Sequence, residues 1–161
     1  MKAILIGASL SGKTTLIRHL RSMSEVPILE MDEELTKKND GHFPSDNAYK
    51  HNELAPKVIE DILGKDSILF FTNTDYFLDQ DLELAHQKGF TIVQLDLDLA
   101  TLRERNKQRV QNEGYANLDQ WLEGMAEYQK NIKEQGFVDK SINMNQSTED
   151  IAEELLQFLN R

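Results

Sequence analysis

The chain has 161 residues, enough for one domain with a two-sided core, and it is read as a single domain over 1–161. Its formal net charge is −10, and no run of Lys and Arg forms the basic stripe of a nucleic-acid surface, so nucleic acid is not an expected partner. The absence of cysteine excludes disulfides and Cys-ligated metals and fits a reducing, cytoplasmic setting, and no apolar run approaches a membrane span.

Ala3-Ile4-Leu5-Ile6 is an apolar run that reads as a buried strand rather than a signal peptide. Gly7-Ala8-Ser9-Leu10-Ser11-Gly12-Lys13-Thr14 follows it and fits G-x-x-x-x-G-K-[ST], the phosphate-binding P-loop. A helix then begins near Thr15, with Leu16, Ile17, Leu20 and Met23 on one face. That strand, loop and helix order is the context the motif requires. Gly7 and Gly12 let the chain curl so that main-chain N–H groups point at a polyphosphate, and the helix N-terminus adds partial positive charge. Lys13 reaches outer phosphates, and the Thr14 hydroxyl suits the magnesium that travels with them. The candidate nucleotide-binding residues of this stretch are Gly7, Ser9, Ser11, Gly12, Lys13, Thr14 and Thr15.

Val26 to Asp32 reads as a short strand ending in the acids Glu30 and Asp32, with Glu33 to Lys38 adding one or two helical turns. Turn chemistry fills Asn39 to Asp46. Tyr49 to Leu63 is helical in pattern, and Pro56 either kinks it or starts a second helix. Ser67 to Thr72 is a strand, and Asn73-Thr74-Asp75 leaves its carboxyl end. A helix over Asp79 to Lys88 leads to a strand over Phe90 to Leu95. Asp98 caps a polar helix reaching about Gln111. Asn117 caps another, whose stripe runs through Leu118, Trp121, Leu122, Met125, Tyr128 and Ile132, with Trp121 and Tyr128 expected in the core. Val138 to Met144 is a last strand, and Ser147 caps the last helix. Strands alternating with helices imply an α/β fold, a parallel sheet covered on both faces, with ligands beyond the carboxyl ends of the strands.

Three stretches resemble the small P-loop kinases, the adenylate, shikimate and gluconate kinases. They are the P-loop at the start; Gln94-Leu95-Asp96 followed by Leu102 to Arg109, with its R-x-x-x-R pair; and the tail from Ser141 through Glu154. The resemblance implies a three-layer P-loop NTPase fold with a five-stranded parallel sheet in order 2-3-1-4-5. It implies ATP and Mg²⁺, a lid over about 105–118, and an acceptor-binding region over about 32–63. Arg105 and Arg109 lie four apart on one helical face. By resemblance, Arg105 stacks on the base and Arg109 reaches the transferring phosphates, while Asn145 belongs to the base-binding loop. The same resemblance sets Glu30 near the magnesium with Thr14, and Asp32 against the acceptor. The catalytic candidates are therefore Lys13, Asp32 and Arg109.

The chain departs from the family in two places. Adenylate kinases carry D-G-F-P-R after the third strand, whose Arg holds the acceptor phosphate; this chain has Thr72-Asn73-Thr74-Asp75 instead. No arginine lies between Arg109 and Arg161, so either lysines substitute for lid arginines or the lid is reduced. The expected activity is ATP-dependent phosphoryl transfer to a small-molecule acceptor, with a hydroxyl favoured, by a monomer or homodimer. A nucleoside or nucleotide kinase and a nucleotide-binding regulatory module are the alternatives. Asn106-Lys107-Gln108-Arg109 lacks the Asp of N-K-x-D, which argues against a GTPase switch.

Overall fold

Five apolar runs pair into one sheet in the computed structural model, which describes all residues, 1–161. They are β1 (Lys2–Gly7), β2 (Ile28–Glu30), β3 (Ile68–Thr72), β4 (Thr91–Asp96) and β5 (Lys140–Asn143). Every pairing is parallel and the order is β2-β3-β1-β4-β5, as the resemblance implies. The central β1 sets Ile4 between Phe70 of β3 and Ile92 of β4.

Helices cover both faces. On one side lie α1 (Lys13–Met23), α6 (Leu99–Glu113) and α8 (Thr148–Leu159), whose Leu16, Leu102 and Leu155 join Ala3 and Leu5 of β1. On the other lie α2 (Met31–Lys38), α4 (Ala55–Leu63) and α5 (Asp79–Gln87), whose Leu35, Val58 and Leu82 join Ile4 and Ile6. Alternate residues of β1 thus feed opposite cores, as strand geometry dictates. The one-turn α3 (Asn47–Tyr49) and a π-turn (Lys50–Leu54) precede α4. No helix is long and apolar enough to cross a membrane.

The remaining helix, α7 (Asp119–Glu134), serves both layers, because Leu122 packs in the first core and Ile132 in the second. Between them Gln129 is buried, and its Nε2 donates to the Ile6 carbonyl at 3.4 Å and the Leu95 carbonyl at 3.2 Å. It thereby ties α7 to the ends of β1 and β4, from which the P-loop departs.

Several boundaries differ from the sequence reading. β2 stops at Glu30, so Asp32 lies in the first turn of α2 rather than at a strand end. Three carboxylates there, Asp32, Glu33 and Glu34, favour a helix N-terminus over a strand. Trp121 is not core: it is 57% exposed, and the buried stripe of α7 runs through Leu122, Gln129 and Ile132. Tyr128 flanks that stripe, half-buried, and donates to the Phe77 carbonyl at 2.7 Å. Asn117 is one residue before the N-cap, Leu118, although its Oδ1 accepts from the Asp119 N–H. Asp98 and Ser147 cap as expected, accepting from Thr101 and Asp150 N–H groups.

Replacing Gln129 by Met keeps volume but removes the donor to two interior carbonyls. We expect Gln129→Met to lose about 1–3 kcal/mol of stability in urea denaturation, and unchanged stability would show that these bonds are idle.

Candidate active site

The turn after β1 depends on two left-handed backbones, Leu10 at φ 68° and Gly12 at φ 101°. Only Gly12 takes that geometry without strain. Gly7 is needed for a different reason: a Cβ there would sit 2.9 Å from Ser11 Oγ and 3.1 Å from Leu95 Cβ. The loop closes when Ser11 N–H donates to the Ala8 carbonyl, and α1 starts at Lys13 with its first N–H groups turned to the cleft mouth.

Lys13 tucks under this loop. Its Nζ donates to the Gly7 carbonyl at 2.6 Å and the Ala8 carbonyl at 2.8 Å. Burial drives its pKa down to about 8, and the charges of Glu30, Asp32 and Asp75 only partly oppose that shift. The same cleft acts in reverse on the acids. Withdrawal from water pushes Asp32 above the ordinary carboxylate range although its side chain opens to the cleft; Lys13 and Lys50 hold it down in part. Glu30 is raised too, by burial and then by Asp32 and Glu33.

Two side chains brace the elements around these acids. Arg21 of α1 grips Glu33 at 2.6 Å and donates to the Ile28 carbonyl at 2.9 Å, which fixes the start of α2 beside β2. Asn73, just past β3, donates from Nδ2 to Ser9 Oγ at 2.9 Å and so ties the P-loop to the end of that strand.

The opposite wall is α6. Arg105, Gln108, Arg109 and Asn112 share one face and line the cleft. Arg105 Nη1 donates to the Leu10 carbonyl at 2.8 Å, bracing the strained residue of the loop. The Arg109 guanidinium lies 4.2 Å from the Tyr115 ring centroid, and its Nε is 3.9 Å from Glu113 Oε2. Arg103 points away and is exposed. On the buried face Asn106, 3% exposed, donates to Asn117 Oδ1 at 2.8 Å and accepts from the Leu118 N–H at 2.9 Å. These bonds fold the short 114–118 segment back, so that Leu118 joins the cleft wall. α6 and α7 are joined by residues 114–118 alone.

The cleft has a volume of about 630 Å³ and gathers Ser9, Gly12, Lys13, Thr14, Glu30, Asp32, Arg105 and Arg109 of the expected residues. Gly7 and Ser11 are buried behind the loop, Thr15 is exposed on α1, and Asn145 is exposed after β5; none of the four lines the cleft. The sequence reading missed Gln108 and Asn112, which the three- and four-residue spacing from Arg105 and Arg109 would have revealed. It gave Asn73 no partner, because the bond to Ser9 spans distant chain segments.

Loop, sheet and cleft together define a P-loop phosphate-binding protein with the fold of the small P-loop kinases. The AAA domain family model matches residues 3–131, and the chain belongs to that family. No curated protein sequence matches it. Among solved structures, it is similar to shikimate kinase from Aquifex aeolicus (TM-score 0.76, 21% identity, covering 99% of this chain and 96% of that one). It is also similar to shikimate kinase from Acinetobacter baumannii, in complex with shikimate (TM-score 0.72, 18% identity, 98% and 92% covered). A gluconokinase from Sinorhizobium meliloti follows at TM-score 0.65 and 15% identity, with 99% and 92% covered. At such identities these likenesses speak to the fold.

Lys13 supplies a direct test of the loop's electrostatics. An anion replacing the Gly7 and Ala8 carbonyls raises the Lys13 pKa, so anion binding above about 8 takes up a proton. We expect calorimetry with inorganic tripolyphosphate near pH 9, in buffers of differing ionisation enthalpy, to detect roughly one proton taken up, and Lys13→Met to abolish it. Uptake unaffected by that substitution would refute the assignment.

Proposed function

We propose that the protein is an ATP-dependent phosphotransferase acting on a hydroxyl of a small metabolite. One observation carries this reading: a polyphosphate-type loop with Lys13 faces a carboxylate, Asp32, across a single cleft walled by two arginines. A cleft of about 630 Å³ is of the size that holds small ligands. The chain is taken to act as one unit, with 105–118 closing the nucleotide side and 32–63 forming the acceptor side.

The cleft chemistry fits magnesium carried in with the nucleotide. No cluster of three His, Cys, Asp or Glu side chains forms a cage of its own. Thr14 and Glu30 instead offer the one or two oxygen ligands that Mg²⁺ takes beside phosphates and water. Bound there, it would neutralise charge on the phosphates.

In the proposed reaction the acceptor hydroxyl oxygen forms a bond to the γ-phosphorus as the bond from that phosphorus to the β,γ-bridging oxygen breaks. The bridging electron pair leaves with ADP, and the hydroxyl proton passes to Asp32. Lys13 exchanges the Gly7 and Ala8 carbonyls for phosphate oxygens. Arg109 offers a guanidinium fork to the charge spread over the transferring group. Arg105, held on the Leu10 carbonyl, keeps the loop in shape. Burial that raises the Asp32 carboxyl makes it a stronger base than an ordinary aspartate.

Two outcomes test this. Asp32→Asn should cut acceptor-dependent turnover by about a hundredfold or more while ATP affinity holds. The wild-type kcat/KM should fall as pH drops through the raised Asp32 pKa, above the ordinary aspartate range, because protonation removes the base. Full activity of Asp32→Asn on the acceptor would end the hydroxyl-transfer reading and favour a phosphate acceptor. Separately, Arg109→Ala is expected to slow turnover by about a hundredfold or more, far beyond its effect on ATP binding. Equal turnover would make that face of α6 ordinary surface.

A further inference from the structure

Beyond Asp32, three segments meet: α2, the π-turn and the stretch Asn73–Phe77 after β3. The π-turn has a local cause. Pro56 carries no N–H, and its ring crowds the carbonyl four residues back, so the helix widens before it; the Ala55 N–H bonds to the Lys50 carbonyl, five residues earlier. That widened turn carries Lys50 and His51 to the loop after β3. The His51 ring stacks on Tyr76, with centroids 5.0 Å apart and planes 9° off parallel. Its Nε2 lies 3.0 Å from Asp75 Oδ2 and its Nδ1 3.0 Å from the Asn47 carbonyl. Lys50 Nζ sits 5.2 Å from the Phe43 ring centroid and 5.8 Å from that of Tyr76. Asp75 is near enough for its charge to act on both Asp32 and Lys13.

The basic groups beside these carboxylates are Lys50 and His51. His51 is paired with Asp75, and Lys50 lies over two rings and against the field of Asp32. Arg105 and Arg109 stand on α6, the opposite wall of the cleft, and Arg21 is held by Glu33, so no guanidinium fork faces this rim. A carboxylate or phosphate brought here would meet two carboxylates and lack the bidentate partner that normally binds it. A hydroxyl or ammonium group would find those carboxylates as acceptors.

We propose that Asp32, at the cleft, with Asp75, Lys50 and His51 on the rim beyond it and the buried Tyr76 backing His51, forms the acceptor site, and that the acceptor is a polyhydroxyl compound bearing no acid group, neutral or amine-bearing. This rests on the phosphotransferase reading and adds the charge class of the substrate.

The test has two arms. In the first, the protein is loaded with a non-hydrolysable ATP analogue and magnesium, so that the P-loop is filled, and sulfate is titrated while backbone amides of residues 49–52 and 73–77 are followed by NMR. Absence of a saturable shift at these amides is expected; saturable sulfate binding there would overturn the proposal. In the second, ATP turnover is compared within sets sharing one skeleton: a neutral sugar, its aldonic acid and its amino sugar. The neutral or amino member should exceed the acid by about tenfold or more in kcat/KM, and Asp75→Asn should raise the KM for that member more than it lowers kcat. An acid preferred within its set would overturn the proposal. Turnover of no member, by protein that binds the analogue through Lys13, would count against the phosphotransferase reading and leave the sulfate arm to decide the pocket's charge class.

Discussion

An amine buried against carbonyls at the end of a central strand is costly unless an anion comes to it, and much of the cleft follows from that fact. Lys13 is held by the Gly7 and Ala8 carbonyls, whose dipoles are a weaker counterpart than a charge. Three carboxylates, Glu30, Asp32 and Asp75, lie close enough to ease the amine's position without pairing with it. They come from the ends of β2 and β3 and the start of α2, which the order β2-β3-β1 sets on one side of the loop. The loop's shape has little freedom in turn. A side chain at Gly7 would strike Ser11 and Leu95, and Leu10 keeps its left-handed backbone under the Arg105 guanidinium.

The α6 wall of the cleft is organised by a buried amide. Asn106 faces inward from α6 while Arg105 and Arg109 face the cleft, and its bonds to Asn117 and the Leu118 N–H fix how the 114–118 segment returns. Arg109 rests on Tyr115 and near Glu113, contacts that are weak for a partly exposed arginine.

Legibility followed locality. β1, the P-loop and α1 were readable because an apolar run, two glycines and a helical stripe are consecutive in sequence. The pairing of Arg105 with Arg109 was readable because four residues make one helical turn. What the sequence hid depends on distant segments. Val26 to Asp32 reads as a strand ending in acids, yet β2 is an edge strand of three residues and the acids suit a helix start. Trp121 was assigned to the core because it shares a stripe with Leu122. The helix instead turns Leu122, Gln129 and Ile132 inward, since it must serve both layers. Pro56 announced a disturbance, but only the fold reveals that the disturbance is a π-turn bringing His51 to Asp75.

The depressed Lys13 and the elevated Asp32 have one origin: a cleft poor in water penalises either charge. That common origin suggests an order to the proposed reaction. An incoming polyphosphate adds negative charge, which raises the proton affinity of both groups. Lys13 is thereby held more firmly in its cationic form, the state that stabilises the transferring phosphate. Asp32 becomes a stronger base in the same event, just when a hydroxyl must lose its proton. Burial raises the Asp32 carboxyl, and the charges of Lys13 and Lys50 oppose that rise. Its strength as a base therefore depends on the loop being filled, and in the proposed reaction nucleotide binding prepares the acceptor side without any movement of the backbone.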